Sequence, residues 1–210
     1  MTCKTIAFVP IRSGSKSIPH KNIKAIAGKP LVYWNVNALV KSMVDLIIIA
    51  TDSEEYANVV KEYFDDDRIM IYFRDKKNAT DSSSTEDVIM EFICKYVGGN
   101  IVKPEDNFML VQVTSPLLSY KEIDSAVQLY NDNRYGADSI VSVADLRHNF
   151  IWTSEYEKYG LHFGVPVNYD FRDRPLRQSF ENHIYIENGA FYLNTVENIV
   201  KDENRLSGKV

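Results

Sequence analysis

The stretch Leu46 to Ala50 reads LIIIA, an unbroken apolar run with three consecutive β-branched residues. A strand with no polar alternate positions has no face to give to water, so it must be covered on both sides. That demand points to a parallel sheet between layers of helix, and the rest of the chain fits it. Thr5 to Val9 reads as a buried strand, and Pro30 suits the first residue of a helix with Leu31, Trp34, Leu39 and Val40 as its stripe. Asp52 is a plausible N-cap, with Glu54 and Glu55 in the first turn of a helix to about Phe64. Ile69 to Phe73 is a third strand, and Ser84 or Thr85 can cap a helix through about Val97. Phe108 to Val113 is the next strand, and Ser119 with Glu122 forms a capping box before a helix to about Asn131. Ser139 to Val143 is another strand.

Strand then helix, repeated four times, implies right-handed βαβ units: a three-layer α/β/α, Rossmann-like fold on a mostly parallel sheet. Residues 145–183 break the rhythm. They are rich in Tyr, Phe, Arg and Asn, show no clear period, and read as an arm with irregular β structure on a single domain spanning 1–210. Tyr185 to Leu193 then returns as a strand, and Thr195 caps a last short helix.

The net charge is −5 over 210 residues, which argues against a general nucleic-acid binder. The distribution is uneven. Residues 1–44 hold seven Lys and Arg and no acid, whereas the remainder carries 17 basic and 29 acidic side chains. A local positive site on a negative protein suits a small polyanion such as a nucleoside triphosphate; solvated surface lysines are the competing reading. No apolar run approaches the roughly 20 residues that span a bilayer, and the N-terminus lacks a signal-peptide core, so the expectation is a cytoplasmic protein with no membrane partner. Cys3 and Cys94 have no paired spacing and read as reduced. His20, His148, His162 and His183 show no metal-like spacing.

Ligands of such sheets bind beyond the carboxyl ends of the strands. The loops leaving those ends, 10–29, 51–53, 74–84 and 114–120, are all polar and should face one crevice. The first is the most telling. Gly14 and its neighbouring serines let backbone N–H groups approach an anion, while Arg12, Lys16 and Lys21 add charge. It is neither a Walker A loop, since Gly28-Lys29 is followed by Pro30, nor a GxGxxG turn.

RSGSKSIPHKN after the first strand, followed by GKPL, resembles the cytidylyltransferases that activate nine-carbon acidic sugars, the CMP-N-acylneuraminate synthetases. ATDSEE at 50–55, Arg74 through TDSSST, LVQVTSPL at 110–117, RPLRQ at 174–178 and ENGAFYL at 187–193 continue the resemblance in order along nearly the whole chain. It implies CTP and an acidic sugar as substrates, Mg²⁺ as cofactor, and residues 145–183 as the dimerisation arm of a homodimer. It further implies that Arg12, Ser15, Lys16 and Lys21 hold the triphosphate and act in catalysis, and that Asn22 contacts the nucleotide. Arg74 with Ser84 or Thr85 would read cytosine and ribose. Gln112, Thr114, Ser115, Arg177, Gln178, Asn188 and Tyr192 would face the sugar. Bland readings stand beside these: Asn188-Gly189 as a plain turn, Tyr192 as core, Asp52 as a helix cap.

Three departures from the family pattern matter. The acidic segment that supplies the family's metal-binding aspartates has no counterpart in these residues, so the metal ligands are unassigned. Ser17 stands where the family usually has Gly, and would be strained if that position needs a positive φ. Leu118 replaces an Arg common after TSPL. The competing functions are a CMP-Kdo synthetase, which QVTSPL disfavours, or another sugar nucleotidyltransferase, and a non-catalytic nucleotide-binding homologue.

Overall fold

A computed structural model describes residues 3–15, 17–79, 83–97, 99, 101–132, 136–146, 150–179 and 184–210; the side chains of Phe163 and Arg177 fall outside that description. In order the elements are β1 (Thr5–Ile11), β2 (Ala25–Ile26), β3 (Lys29–Pro30), α1 (Leu31–Lys41), β4 (Leu46–Thr51) and α2 (Glu54–Tyr63). There follow β5 (Ile69–Phe73), α3 (Thr85–Tyr96), β6 (Asn107–Val111), α4 (Tyr120–Asp132) and β7 (Ile140–Asp145). The chain ends through β8 (Trp152–Lys158), β9 (Leu161–Pro166), β10 (Tyr185–Thr195) and α5 (Val196–Asp202). The LIIIA run is the core of β4, with both its faces buried.

The main sheet has the order β5-β4-β1-β6-β10-β7. β5, β4, β1 and β6 are mutually parallel, and β10 returns antiparallel to β6. Successive side chains point to opposite faces. Ala7, Val9, Ile11, Ile47, Ile49, Met109 and Val111 therefore pack on one side, against α1, α2 and α4. Ile6, Phe8, Ile48, Ala50, Phe108 and Leu110 pack on the other, against α3 and α5. The steps β1 to β4 to β5 run in one direction across the sheet, and the step from β5 to β6 runs back past β1. Right-handed crossovers then require α3 to lie on the face opposite α1 and α2, as it does. The reversal lies between β1 and β6, where a parallel sheet opens a crevice.

The chain divides into two compact units, Met1–Ser142 with Gly189–Val210, and Val143–Asn188. The second unit contains a regular hairpin where no period was expected. β8 and β9 pair from Trp152↔Pro166 to Lys158↔Leu161, with a bulge between Ser154 and Tyr156. Tyr159 and Gly160 both have positive φ, 55° and 74°, the two-residue turn whose twist suits a tight hairpin. All of β8 is exposed, so no buried face imposed an alternating pattern that could be read. Pro30 precedes the first turn of α1 rather than starting it.

Candidate active site

Three strand ends lie side by side. Ile11 is opposite Thr51, and Thr51 is opposite Phe73. The residues that follow, Arg12 and Ser13, Asp52, and Arg74, therefore emerge together at the carboxyl end of the sheet. Ser13 donates its N–H to Asp52 Oδ1 at 2.8 Å and its hydroxyl to Asp52 Oδ2 at 2.7 Å. The Ser13 carbonyl accepts from the Ser15 N–H at 3.0 Å and the Tyr56 hydroxyl at 3.3 Å. Burial and the negative charges of Glu55 and Asp52 push the Tyr56 pKa up, which keeps that hydroxyl protonated. Buried Asn22 donates from Nδ2 to the Arg12 carbonyl at 2.9 Å, closing the loop on itself.

Asp52 is thus not the cap expected for α2. Ser53 is, its Oγ accepting from the Tyr56 N–H. Asp52 stands one residue earlier, at the strand end, where parallel register brings its carboxylate to Ser13. Ser17 carries no positive-φ strain either; among the described residues of this loop, the left-handed ones are His20, Ala27 and Gly28.

Arg74 is the least ordinary side chain of the site. Its side chain is 4% exposed, and Nη2 stops 3.8 Å from Asp52 Oδ1, too far for a hydrogen bond. Nη1 reaches the Asn78 carbonyl at 3.5 Å, while Nε and Nη2 have no hydrogen-bond partner among the described residues. Burial pushes its pKa down; Asp52 pulls it back up and Arg12 lowers it further. Unspent donors on a buried guanidinium call for an acceptor that arrives with a ligand. Behind Arg74, Glu91 of α3 braces the loop by accepting from the Tyr72 hydroxyl, the Asp75 N–H and Asn78 Nδ2. Burial works to raise the Glu91 pKa, and those hydrogen bonds outweigh it and hold the carboxylate low.

The N-terminus of α3 and the turn after β6 supply the other walls. Ser84 caps α3 in a reciprocal box with Asp87. The turn after β6 is held from α1 by Asn35, whose Nδ2 donates to the Ser115 carbonyl at 3.0 Å. Gly189 has φ +68°, and a Cβ there would stand 2.9 Å from Gln112 Oε1. Asn188-Gly189 is therefore no plain turn: Gly189 lies within β10, and its missing side chain makes room for Gln112.

Together these loops enclose a cavity of about 500 Å³. Of the residues singled out in the sequence, Arg12, Ser15, Lys21, Asn22, Arg74, Ser84, Thr85, Gln112 and Thr114 line it. Ser17, a departure from the family pattern, lines it too, as do Pro10, Ser83, Val88 and Val113, which the sequence did not mark. Ser115 is not part of the lining. Lys16 lies outside the described residues, as does the side chain of Arg177. Gln178 and Asn188 are exposed on the second unit. Tyr192 is 7% exposed in the core of the α3 and α5 face, with the Arg205 guanidinium 4.9 Å from its ring; of its two readings, core is the one the packing fits. Leu118 is likewise buried against α1 and α4, while its neighbour Leu117 is 94% exposed.

The lining is basic and hydroxyl-bearing. Asp52 is spent on Ser13, and no group of three or more His, Cys, Asp or Glu able to hold a metal occurs among the described residues. This donor set does not fit an Mg²⁺ held by the protein itself. Among those same residues, no helix is long and apolar enough to cross a membrane.

Residues 6–158 match the family model described as cytidylyltransferase. The chain belongs to the cytidylyltransferase family. Among relatives of this cytidylyltransferase chain, N-acylneuraminate cytidylyltransferase A of Danio rerio is 37% identical over 89% of the chain, which spans 40% of that protein. CMP-N,N'-diacetyllegionaminic acid synthase of Legionella pneumophila is 28% identical over 96% of the chain and 82% of the relative. The chain spans less than half the length of the N-acylneuraminate cytidylyltransferases it matches. Its fold is similar to that of a CMP:2-keto-3-deoxy-manno-octonic acid synthetase complexed with CTP, with a TM-score of 0.63 at 16% identity, covering 95% of this chain and 78% of the other.

Proposed function

We propose that this chain transfers CMP from CTP to an acidic nine-carbon sugar, releasing pyrophosphate, and does so as a cytoplasmic homodimer. The observation that carries the reading is Arg74, buried at the mouth of β5 with two nitrogens unspent, beside a cavity whose other walls present Arg12, Lys21 and the start of α3. The relatives' names supply the sugar class.

In this reading the anomeric hydroxyl of the sugar attacks the α-phosphorus of CTP. A new phosphorus–oxygen bond forms as the bond to the β-phosphate bridging oxygen breaks, and the hydroxyl proton leaves to solvent. Little covalent work falls to the protein; positioning and charge neutralisation carry the rate. Arg12 and Lys21 neutralise charge building on the leaving pyrophosphate, and Ser15, Lys16 and Asn22 belong to the same cradle. Arg74, Ser84 and Thr85 hold the nucleoside. Gln112 and Thr114 form the near wall of the sugar site, with Ser115 next to them in the chain; a guanidinium such as that of Arg177 is the kind of group that suits a sugar carboxylate. Triphosphate oxygens can ligate Mg²⁺ with few protein ligands, so the ion belongs in the assay.

The test is pyrophosphate release from CTP and Mg²⁺ with N-acetylneuraminate, legionaminate, pseudaminate and Kdo in turn. Release with one nonulosonic acid is the expected result and names the substrate. CTP binding without release for any sugar would favour a non-catalytic nucleotide-binding protein.

A further inference from the structure

We infer that Asp52 is a positioning residue for CTP: through Ser13 it fixes the first loop, which faces the triphosphate, and it holds Arg74, which faces the nucleoside, close without consuming its donors. The inference rests on the proposed CTP site. Its grounds are geometric. Every polar group of Ser13 is engaged, N–H and hydroxyl on the two Asp52 oxygens, carbonyl on Ser15 and Tyr56. The direction in which the chain leaves toward Gly14 and Ser15 is therefore set at Ser13. Gly14 does not set it, since its φ is not positive and a Cβ there would meet nothing within 4 Å. That open space in front of Gly14 is what a phosphate needs to approach the backbone.

The separation between Asp52 and Arg74 carries the other half. At 3.8 Å the carboxylate supplies counter-charge to a guanidinium that is 4% exposed, yet leaves Nε and Nη2 unbonded. A direct hydrogen-bonded pair would have to be broken before a ligand could bind, and an uncompensated buried cation would be costly. The observed spacing avoids both. A carboxylate beside a polyanion site otherwise works against binding, so a role in holding the donors explains why one stands there.

Loss of two hydrogen bonds from a charged acceptor corresponds to about tenfold or more in affinity. Asp52→Ala is therefore expected to raise the Kd and KM for CTP by at least that factor, with the KM for the sugar unchanged. Asp52→Asn can still accept the Ser13 N–H and donate to the Ser13 hydroxyl but lacks the counter-charge to Arg74, and should recover both constants only in part, between those of Asp52→Ala and wild type. Calorimetric CTP binding and steady-state kinetics on the same preparations read this out. A general structural defect would lower the active fraction and kcat without that selective change in CTP constants. If Asp52→Ala does not fold, Ser13→Ala carries the test, with a smaller rise in CTP Kd and no change for the sugar. Wild-type CTP constants in Asp52→Ala, or in Ser13→Ala where that variant carries the test, would overturn the role of Asp52; an Asn variant as impaired as Ala would overturn the part played through Ser13. A wild-type protein that neither binds CTP nor releases pyrophosphate would overturn the functional reading first and the Asp52 role with it.

Discussion

The two units of this chain solve the same problem differently. In the first, strands β1, β4 and β6 are buried on both faces, and each apolar side chain is matched by one from a helix. In the second, β8 is exposed along its whole length, and Trp152, at 51%, and Tyr159, at 90%, stand out in water. The second unit is held by the β8–β9 ladder and by aromatic contacts among its own residues: Trp152 against Tyr169 and Phe171, Phe150 against Tyr169, and Arg174 over Phe150. A lone two-stranded hairpin is marginal in water. The first unit buries its apolar strands on both faces, and the second leaves apolar side chains exposed.

The largest expected effect separates the two at once. Phe8 is fully buried between Phe92 and Phe108, with both ring centroids at 5.4 Å. Phe8→Ala should cost about 3–5 kcal/mol, read as a large fall in melting temperature. A change of under about 1 kcal/mol, typical of a surface site, would break the contrast. Next comes a change in the cradle that leaves the fold alone. Lys21→Ala should lower turnover well over tenfold, by analogy with removing one preorganised donor, with an unshifted melting curve. Wild-type activity would remove Lys21 from the mechanism.

The contrast also explains what could be read in advance. The LIIIA run, a cap at Ser84 or Thr85, the capping box at Ser119 and the polar loops at strand ends were legible because burial and capping leave local patterns. The hairpin was not, because exposure on both faces leaves none. Asp52 was misread as a cap because local pattern alone cannot tell it from Ser53; only the register of three strands, Ile11 with Thr51 with Phe73, brings it to Ser13 and Arg74. That register was itself within reach, since adjacent parallel strands ending together must align the residues after them. Tyr192 sits among motif residues, but the strand's alternation turns it into the α3 layer.

Two smaller effects probe the seam of the first unit. Gly189→Ala meets a left-handed φ of +68° and Gln112 Oε1 at 2.9 Å. The backbone cost is about 1–2 kcal/mol, and displacement of Gln112 should raise the KM for the sugar more than that for CTP. An unchanged sugar KM would separate Gln112 from the sugar wall. Farther from the cavity, Arg205 clasps Glu86 with Nε at 2.5 Å and Nη2 at 2.8 Å. That hydrogen bonding holds the Glu86 pKa below its usual value of 4.5. A depressed carboxylate stabilises the fold above its unfolded pKa and loses that contribution as pH falls through the folded one. Glu86→Gln should thus cost about 0.5–1 kcal/mol at pH 7, and the difference from wild type should shrink below pH 4.5. A gap that persists into acid would show that packing, not charge, holds the pair.

The smallest expected effect is the sharpest test of the second unit. Trp152→Ser removes a half-exposed ring whose Nε1 donates to the Tyr169 hydroxyl at 2.8 Å. If the first unit is self-sufficient, its melting transition in dilute solution should move by less than about 0.5 kcal/mol, as for other surface changes. The proposed homodimer makes the same residue matter elsewhere. Exposed aromatics on an arm are the side chains that interfaces favour, so sedimentation should show the variant dissociating at concentrations where wild type stays paired. A stable fold with weakened pairing would assign the apolar surface of 143–188 to a second copy of the chain. Lost stability with pairing intact would mean that the arm holds itself together and that the two units differ less than their burial implies.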